Sequence, residues 1–386
     1  MTTAKRTVYI AQPCTGDEEW QATRECFQTG WLTQGPKVAA FEKAFAERHN
    51  AKHALATSNC TTGLHLILAA MDVGPGDEVI VPAFTWIATA NAAVYCGATP
   101  VFADIDPATF NIDPADAAKK ITPRTKVIVA VHLFGLAADV DALRRIAGDI
   151  PIVEDAACGA GATYKGTSVG TLGAAAAFSF HPRKSITMGE GGMVTTNDDA
   201  LAARIDKMRN HGAEISEQQR LHGAAPYLLP EFNILGYNYR MTDLQGAVGL
   251  VQLGKLDAFI DERNQWAEYY RRELFEIGWL RCPTSPSDCR HAYQSFVTWV
   301  DPKTAPLPRN EIMERLKNAG VATRPGTHAV HILGLYRTRF GTKADDCPNA
   351  RDADRYSMAI PLHNRMTAGD YAYVVEAIQS IAGKKI

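Results

Sequence analysis

The chain has 386 residues, 46% of them apolar, and its 40 Lys and Arg against 42 Asp and Glu give a net charge of −2. That length exceeds what one hydrophobic core serves, so a large and a small unit are expected, and the apolar share excludes a disordered chain. Balanced charge without a basic block argues against nucleic acid as a partner, and no apolar run approaches the roughly 20 residues that span a bilayer. The opening "MTTAKRTVYIAQPCTGDEEW" lacks the apolar core of a signal peptide, so a soluble, cytoplasmic protein without a membrane partner is expected. Cys14, Cys26, Cys60, Cys96, Cys158, Cys282, Cys289 and Cys347 are scattered without a C-x-x-C pair. Reduced structural thiols are expected from this, and no metal site.

Between residues 53 and 154, short β-branched runs alternate with helical patterns. "HALATS", "EVIVPA", "PVFADI", "KVIVAVH" and "PIVED" read as strands. "TTGLHLILAAM", "TWIATANAAVYCG", "DPADAAKKI" and "DVDALRRIAG" read as helices. Alternation of this kind predicts an α/β unit with a largely parallel sheet covered on both faces. Ligands of such sheets bind beyond the carboxyl ends of the strands, which directs attention to residues 58–62, 82–86, 132–135 and 155–158.

A long charged amphipathic pattern follows near 246–274. Beyond it, "HAYQSFVTWVD", "RNEIMERLKNAG" and "TAGDYAYVVEAIQSI" read as a smaller α+β unit. In the last of these, Thr367 and Asp370 have capping-box spacing, and Tyr371, Val374, Val375 and Ile378 share a face. The division expected is a large unit over 1–250, with an N-terminal segment near the substrate, and a small C-terminal unit over 251–386. Two turn-rich stretches, 212–231 and 341–355, read as loops, either facing the substrate or simply at the surface. There is no internal repeat.

The stretch "FSFHPRKSITMGEGGMVTTND" places Lys184 five residues ahead of "GEGG". A P-loop needs its lysine directly after the last glycine, so this is not a phosphate cradle of that kind. Lys184 is then either a surface lysine before a Gly-rich turn or a reactive amine. Glycines 189, 191 and 192 are expected to shape the turn into the next strand, "MVTT".

Three further features suit an aldehyde cofactor bound to a lysine. In "TSNCTTGLHL" a strand gives way to a helix at Thr61 and Thr62, where free N–H groups and hydroxyls hold a phosphate or simply cap the helix. "IVEDAACGAG" ends a strand in Glu154 and Asp155, a carboxylate suited to a ring nitrogen or to capping a turn. In "VPAFTWIATAN", Trp86 follows a strand end, placed to stack on a flat ring or to pack in the core.

Taken together, "EDAA", "FSFHPRK" followed by "GEGGMVTTND", and "GYNYRMTDLQGAVGLVQLGKLD" resemble the fold-type I, pyridoxal-phosphate-dependent nucleotide-sugar aminotransferases of the DegT/StrS type. The branch that includes GDP-perosamine synthase is the nearest in pattern. The likeness runs from "GWLTQGPKVAAFEKAFA" through "TRPGTHAVH" to "MAIPLH". It implies an aspartate-aminotransferase-like fold, with a mostly parallel sheet covered by helices in the large domain and a smaller C-terminal α+β domain.

Carried over by residue, the resemblance implies that Lys184 forms a Schiff base with pyridoxal 5'-phosphate and that Asp155 pairs with its pyridinium nitrogen. Trp86 takes the ring-stacking position, and Thr61, Thr62 and Ser179 take the phosphate. Asn238 reaches the phosphate from a neighbouring subunit, which implies a homodimer with shared active sites. His181, Arg240, Arg324, His328 and His331 are candidates for the substrates. Arg324, His328 and His331 either meet the donor carboxylate or the sugar nucleotide, or pack at the domain junction. Arg240 is either a carboxylate clamp or an inter-subunit ion pair.

Two departures stand out. Cys158 replaces the usual Gln or Glu, and Cys60 replaces a small residue beside the phosphate cup. Relatives with histidine at the lysine position dehydrate their substrate, so Lys184 favours amino transfer. The reaction implied moves an amino group from L-glutamate to a keto-sugar, a nucleotide-linked 4-keto-6-deoxyhexose, with freed Lys184 as proton carrier. The competing readings are a keto-cyclitol or keto-sugar-phosphate aminotransferase and a non-catalytic, cofactor-binding regulatory protein.

Overall fold

A computed structural model describes residues 6–215, 227 and 229–381. Its centre is a seven-stranded sheet in the order His53–Thr57, Gly192–Thr196, Ala175–Ser179, Ile152–Asp155, Thr125–Val131, Glu78–Pro82, Thr99–Ala103. Gly192–Thr196 runs antiparallel to both neighbours, and the other strands all point one way. The expected mostly parallel sheet is what the chain forms.

Successive side chains of a strand face opposite ways, and here that period sorts the apolar residues into two layers. Leu55, Val79, Val81, Val127, Val129, Val153 and Ala177 face one layer, closed by helices Cys60–Ala70, Ile87–Tyr95 and Asp199–Arg209. Ala54, Ile80, Ile128, Ile152 and Phe178 face the other, closed by Pro36–His49, Val140–Ala147 and the first half of Asp243–Glu273. Burial on both faces explains why these strands read as unbroken apolar runs.

The long helix Asp243–Glu273 serves two cores. Leu253, Leu256 and Ile260 pack under the large sheet, whereas Ala267 and Tyr270 enter a third cluster with Phe296, Ile312, Met358 and Ile378. That cluster lies on the antiparallel sheet Leu280–Arg281, Phe296–Val300, Ser357–Ile360, backed by helices Arg309–Asn318 and Ala368–Ile381. The Thr367 and Asp370 capping box forms as its spacing predicts, with Thr367 N donating to Asp370 Oδ2 at 2.9 Å. Val8 joins the same cluster by exchanging backbone hydrogen bonds with Gly320 and Ala322.

Two local expectations are corrected. The helix expected to begin at Thr61 begins at Cys60, because Asn59 is the N-cap and accepts from Thr62 N at 2.9 Å. The stretch 341–355, read as a loop, holds the short helix Ala344–Asp346 and most of helix Pro348–Tyr356. Asp104, distant in sequence, caps the latter: its carboxylate accepts from Asn349 N and Ala350 N at 2.9 and 2.8 Å. No local pattern announces such a cap. The stretch 212–231 lies largely outside the described residues, and among those described no helix is long and apolar enough to cross a membrane.

The turn before Gly192–Thr196 uses its glycines in two ways. Gly189 has φ +86°, a left-handed conformation that side chains disfavour. At Gly192 the need is space: a Cβ there would lie 2.4 Å from the Asn59 carbonyl carbon and 2.6 Å from its oxygen. Gly192 also pairs with Ser179 in the ladder, so it draws the Cys60–Ala70 helix start and the Ser179 strand end together. Gly192→Ala is expected to destabilise the protein by about 2 kcal/mol, as overpacking against backbone does, read as a lowered denaturant midpoint. An unchanged midpoint would contradict this close approach.

Candidate active site

Beyond the carboxyl ends of the parallel strands lies a cavity of about 1030 Å³. It gathers Thr61, Thr62, Trp86, Asp155, Ser179 and Lys184, and with them His181, Arg324 and His328. Asn238, Arg240 and His331 are not brought to it. Asn238 forms a backbone bridge with Asn210, and Arg240 Nη1 donates to Asn210 Oδ1 at 2.8 Å. His331 is 0% exposed, its ring beside Phe102 and its Nε2 3.4 Å from the Ala344 carbonyl, so it takes the packing alternative.

The two adjacent acidic residues part company because neighbours on a strand face opposite ways. Glu154 turns from the cavity into a closed nest. Its carboxylate accepts from the N–H groups of Gly170, Leu172 and Gly173 at 2.7–2.8 Å and from His132 Nε2 at 2.9 Å. His132 Nδ1 accepts from Ala138 N, which places the ring hydrogen on Nε2. Asp155 faces the cavity and is 4% exposed. Its Oδ1 accepts from Ala157 N at 3.1 Å and its Oδ2 from Thr89 Oγ1 at 2.7 Å.

Hydrogen-bond donors gather where His53–Thr57 leads into Cys60–Ala70. The Asn59 side chain satisfies Thr62 N, and the helix itself gives the N–H groups of Cys60 and Thr61 no acceptor. These donors, the positive helix end and the hydroxyls of Thr62, Thr61 and Ser179 suit a dianion. Cys60 is among the residues that line the cavity. Its thiol is buried in the core against the Ala177 carbonyl, and burial first, then the Asp155 charge, pushes its pKa well above the usual thiol value.

Lys184 stands in the loop between Ala175–Ser179 and Gly192–Thr196. Its N–H donates to His181 O at 2.8 Å, and Nζ lies 3.3 Å from Cys158 Sγ. The sulfur therefore stands beside the amine where the family pattern has a longer polar side chain. The loop is pinned from below: Thr187 N donates to Gln252 Oε1, whose Nε2 holds Cys14 O and Glu19 Oε1. Trp86 is 58% exposed at the start of helix Ile87–Tyr95, with its ring 5.7 Å from that of His328, so core packing does not account for it.

Two arginines border the cavity, along with Glu190. Arg183 and Arg324 line it without a carboxylate partner among the described residues, and Arg324 Nε is buried with no hydrogen-bond partner. Burial, and then the neighbouring Arg183 charge, lowers the Arg324 pKa. Burial likewise lowers that of His181. Sequence reasoning missed Thr89, Gln252, Arg183 and Gln294, whose Nε2 donates to Arg183 O at 2.6 Å. A buried glutamine within an amphipathic helix was the available signal for Gln252.

A buried carboxylate, a lysine amine, an exposed aromatic face and a helix N-terminus fit a phosphorylated aromatic aldehyde. On a sheet of this order, they define a pyridoxal-phosphate-dependent enzyme of fold type I. The chain belongs to the DegT/DnrJ/EryC1/StrS aminotransferase family, which it matches over residues 13–379.

It is 40% identical over 372 residues to the spore coat polysaccharide biosynthesis protein SpsC of Bacillus subtilis, covering 96% of this chain and 95% of that one. It is 38% identical over 378 residues to GDP-perosamine synthase of Caulobacter vibrioides, covering 97% and 98%. Among solved structures, a sugar aminotransferase of Streptococcus pneumoniae in its pyridoxal-phosphate form superposes with a TM-score of 0.90 at 26% identity, over 98% of this chain and 99% of that one. The protein is a sugar aminotransferase that uses pyridoxal 5'-phosphate, with a small-molecule amino donor and a sugar acceptor.

Asp155→Asn is expected to keep the melting temperature and to lower amino transfer by roughly 10²-fold or more, the scale of losing one electrostatic contact to the reacting system. Glu154→Gln sets an amide against a nest of donors and should cost about 3 kcal/mol of stability. Parallel thermal melts and activity assays read both, and the reverse pattern would contradict the assignment of the two carboxylates.

Proposed function

We propose that the enzyme moves the amino group of L-glutamate to a nucleotide-linked 4-keto-6-deoxyhexose, giving an amino sugar for glycan synthesis. The observation that carries this is the pair of guanidinium groups, the exposed Arg183 and the partly buried Arg324, without carboxylate partners among the described residues in a cavity that also holds Lys184. A desolvated guanidinium favours a carboxylate or phosphate in bidentate contact. The donor has carboxylates and the acceptor a diphosphate. The likeness to GDP-perosamine synthase supports the sugar class.

When bound, pyridoxal phosphate supplies an electron-poor ring that withdraws electrons from the donor's α-carbon. Thr61, Thr62, Ser179 and the first-turn N–H groups would hold its phosphate. Trp86 would cover the ring face, and the Asp155 carboxylate would keep the ring nitrogen protonated. Lys184 Nζ would hold the cofactor and, once free, would accept the donor's α-proton and pass it to the carbon that carries the cofactor's aldehyde group. Arg324 would hold the donor carboxylate so that the α-hydrogen faces Nζ. His181 and His328 border the same space, placed to meet the sugar.

We further propose a cytoplasmic homodimer with two units per chain, 1–250 and 251–386. Asn238 and Arg240 lie outside their own chain's cavity, as residues serving a second copy's site do. Phe232 and Leu235, exposed large apolar side chains close to Asn238 in sequence, suit burial against that copy.

Mixing the purified enzyme with L-glutamate should convert the bound cofactor's absorbance to the amine form and release 2-oxoglutarate. Subsequent addition of a panel of nucleotide-linked 4-keto-6-deoxyhexoses, keto-cyclitols and keto-sugar phosphates, with mass spectrometry, names the acceptor. Turnover of a keto-cyclitol or keto-sugar phosphate, with the nucleotide sugars inert, would overturn the acceptor proposed.

A further inference from the structure

Two buried hydroxyls end on Asp155. Thr89 Oγ1 lies 2.7 Å from Asp155 Oδ2, and Thr85 Oγ1 lies 3.0 Å from Thr89 Oγ1. Both threonines are 1% exposed. Thr89 sits in the first turn of helix Ile87–Tyr95, and Thr85 ends the short strand Phe84–Thr85 at the cavity wall.

A hydroxyl has one hydrogen, and an ionised carboxylate only accepts. The Thr89 hydrogen therefore goes to Asp155, because the opposite orientation would set two oxygen lone pairs against each other at 2.7 Å. The Thr89 oxygen is then the acceptor for Thr85. The chain runs one way, from Thr85 to Thr89 to Asp155. A helical threonine commonly turns its hydroxyl back to the carbonyl four residues earlier. Here that carbonyl belongs to Thr85 and accepts from Thr327 Oγ1 at 3.0 Å.

Asp155 Oδ1 is meanwhile fixed by Ala157 N. Donors from two different elements thus hold the two oxygens, and rotation of the carboxylate would break both bonds. Each oxygen keeps lone-pair capacity for a further donor.

We propose that Thr89, ordered by Thr85, is a positioning residue for the cofactor. It holds the Asp155 carboxylate in the orientation that meets the protonated ring nitrogen. The proposal rests on the assignment of Asp155 to that nitrogen, and it adds a residue that the helical pattern "TWIATANAAVYCG" gives no reason to single out.

The test uses the full-length chain resolved from its cofactor, as wild type, Thr89→Val, Thr89→Ser and Thr85→Val. Dissociation constants are measured for pyridoxal 5'-phosphate and for its 1-deaza analogue, which has carbon in place of the ring nitrogen. Thr89→Val should weaken the natural cofactor about tenfold, the scale of one hydrogen bond to a charged group, and the analogue by less than about twofold. Thr89→Ser should bind as wild type does, and Thr85→Val should show a smaller loss with the same selectivity.

Equal loss for both ligands in Thr89→Val means a merely structural role and overturns the proposal, as does no loss. If Thr89→Val does not fold, Thr85→Val decides: a loss selective for the natural cofactor sustains the proposal, and an equal or absent loss overturns it. Wild-type protein that binds both ligands equally would overturn the Asp155 assignment itself, an outcome distinct from failure at Thr89 alone.

Discussion

A carboxylate at the end of the middle strand of the large sheet is almost wholly removed from water, and the donors around it are arranged to meet it. Desolvating a charge is costly unless donors or an opposite charge meet it. Asp155 is met by a backbone N–H two residues on and by the Thr89 hydroxyl. It faces a cavity that carries the Lys184 amine and two arginines. A cationic ring nitrogen is the partner we propose for it, and the helix start at Cys60, the Trp86 ring and the Lys184 amine border the same cavity.

Rigidity comes from polar ties between segments distant in sequence. Asp243, at the start of the long helix, accepts from the N–H groups of Gly35, Lys37 and Val38, fastening the start of helix Pro36–His49. Gln252 on the same helix holds the Lys184 loop, and Asp104 caps a helix in the C-terminal part of the chain. Each tie uses a buried polar side chain bonded to backbone N–H or C=O groups, and in Gln252 also to the Glu19 carboxylate, which fixes position more narrowly than apolar contact does. The Lys184 amine, on a loop, and the Asp155 carboxylate, at a strand end, need that precision if they are to act on one small molecule.

The central sheet was legible because its strands are buried on both faces and separated by helical patterns. The C-terminal capping box was legible because its two residues are local. Lys184, Asp155, Thr61, Thr62, Ser179 and Trp86 were singled out through strand ends and family resemblance, and they line one cavity. What escaped was long-range. The helix Pro348–Tyr356 owes its cap to Asp104, and Thr89 differs from any helical threonine only through the carboxylate that folding brings beside it. His331 looked like a site residue from its place in "TRPGTHAVH", yet its ring packs beside Phe102. Cys60, a departure beside the cup in sequence, points into the core.

The assignment of Lys184 as the residue that carries the cofactor is the claim on which the chemistry turns. Borohydride reduction of the purified protein, followed by proteolysis and peptide mass mapping, tests it directly. The account predicts one phosphopyridoxyl adduct, on the peptide that contains Lys184 and on no other. An adduct on a different lysine, or none in protein that retains bound cofactor, would contradict it.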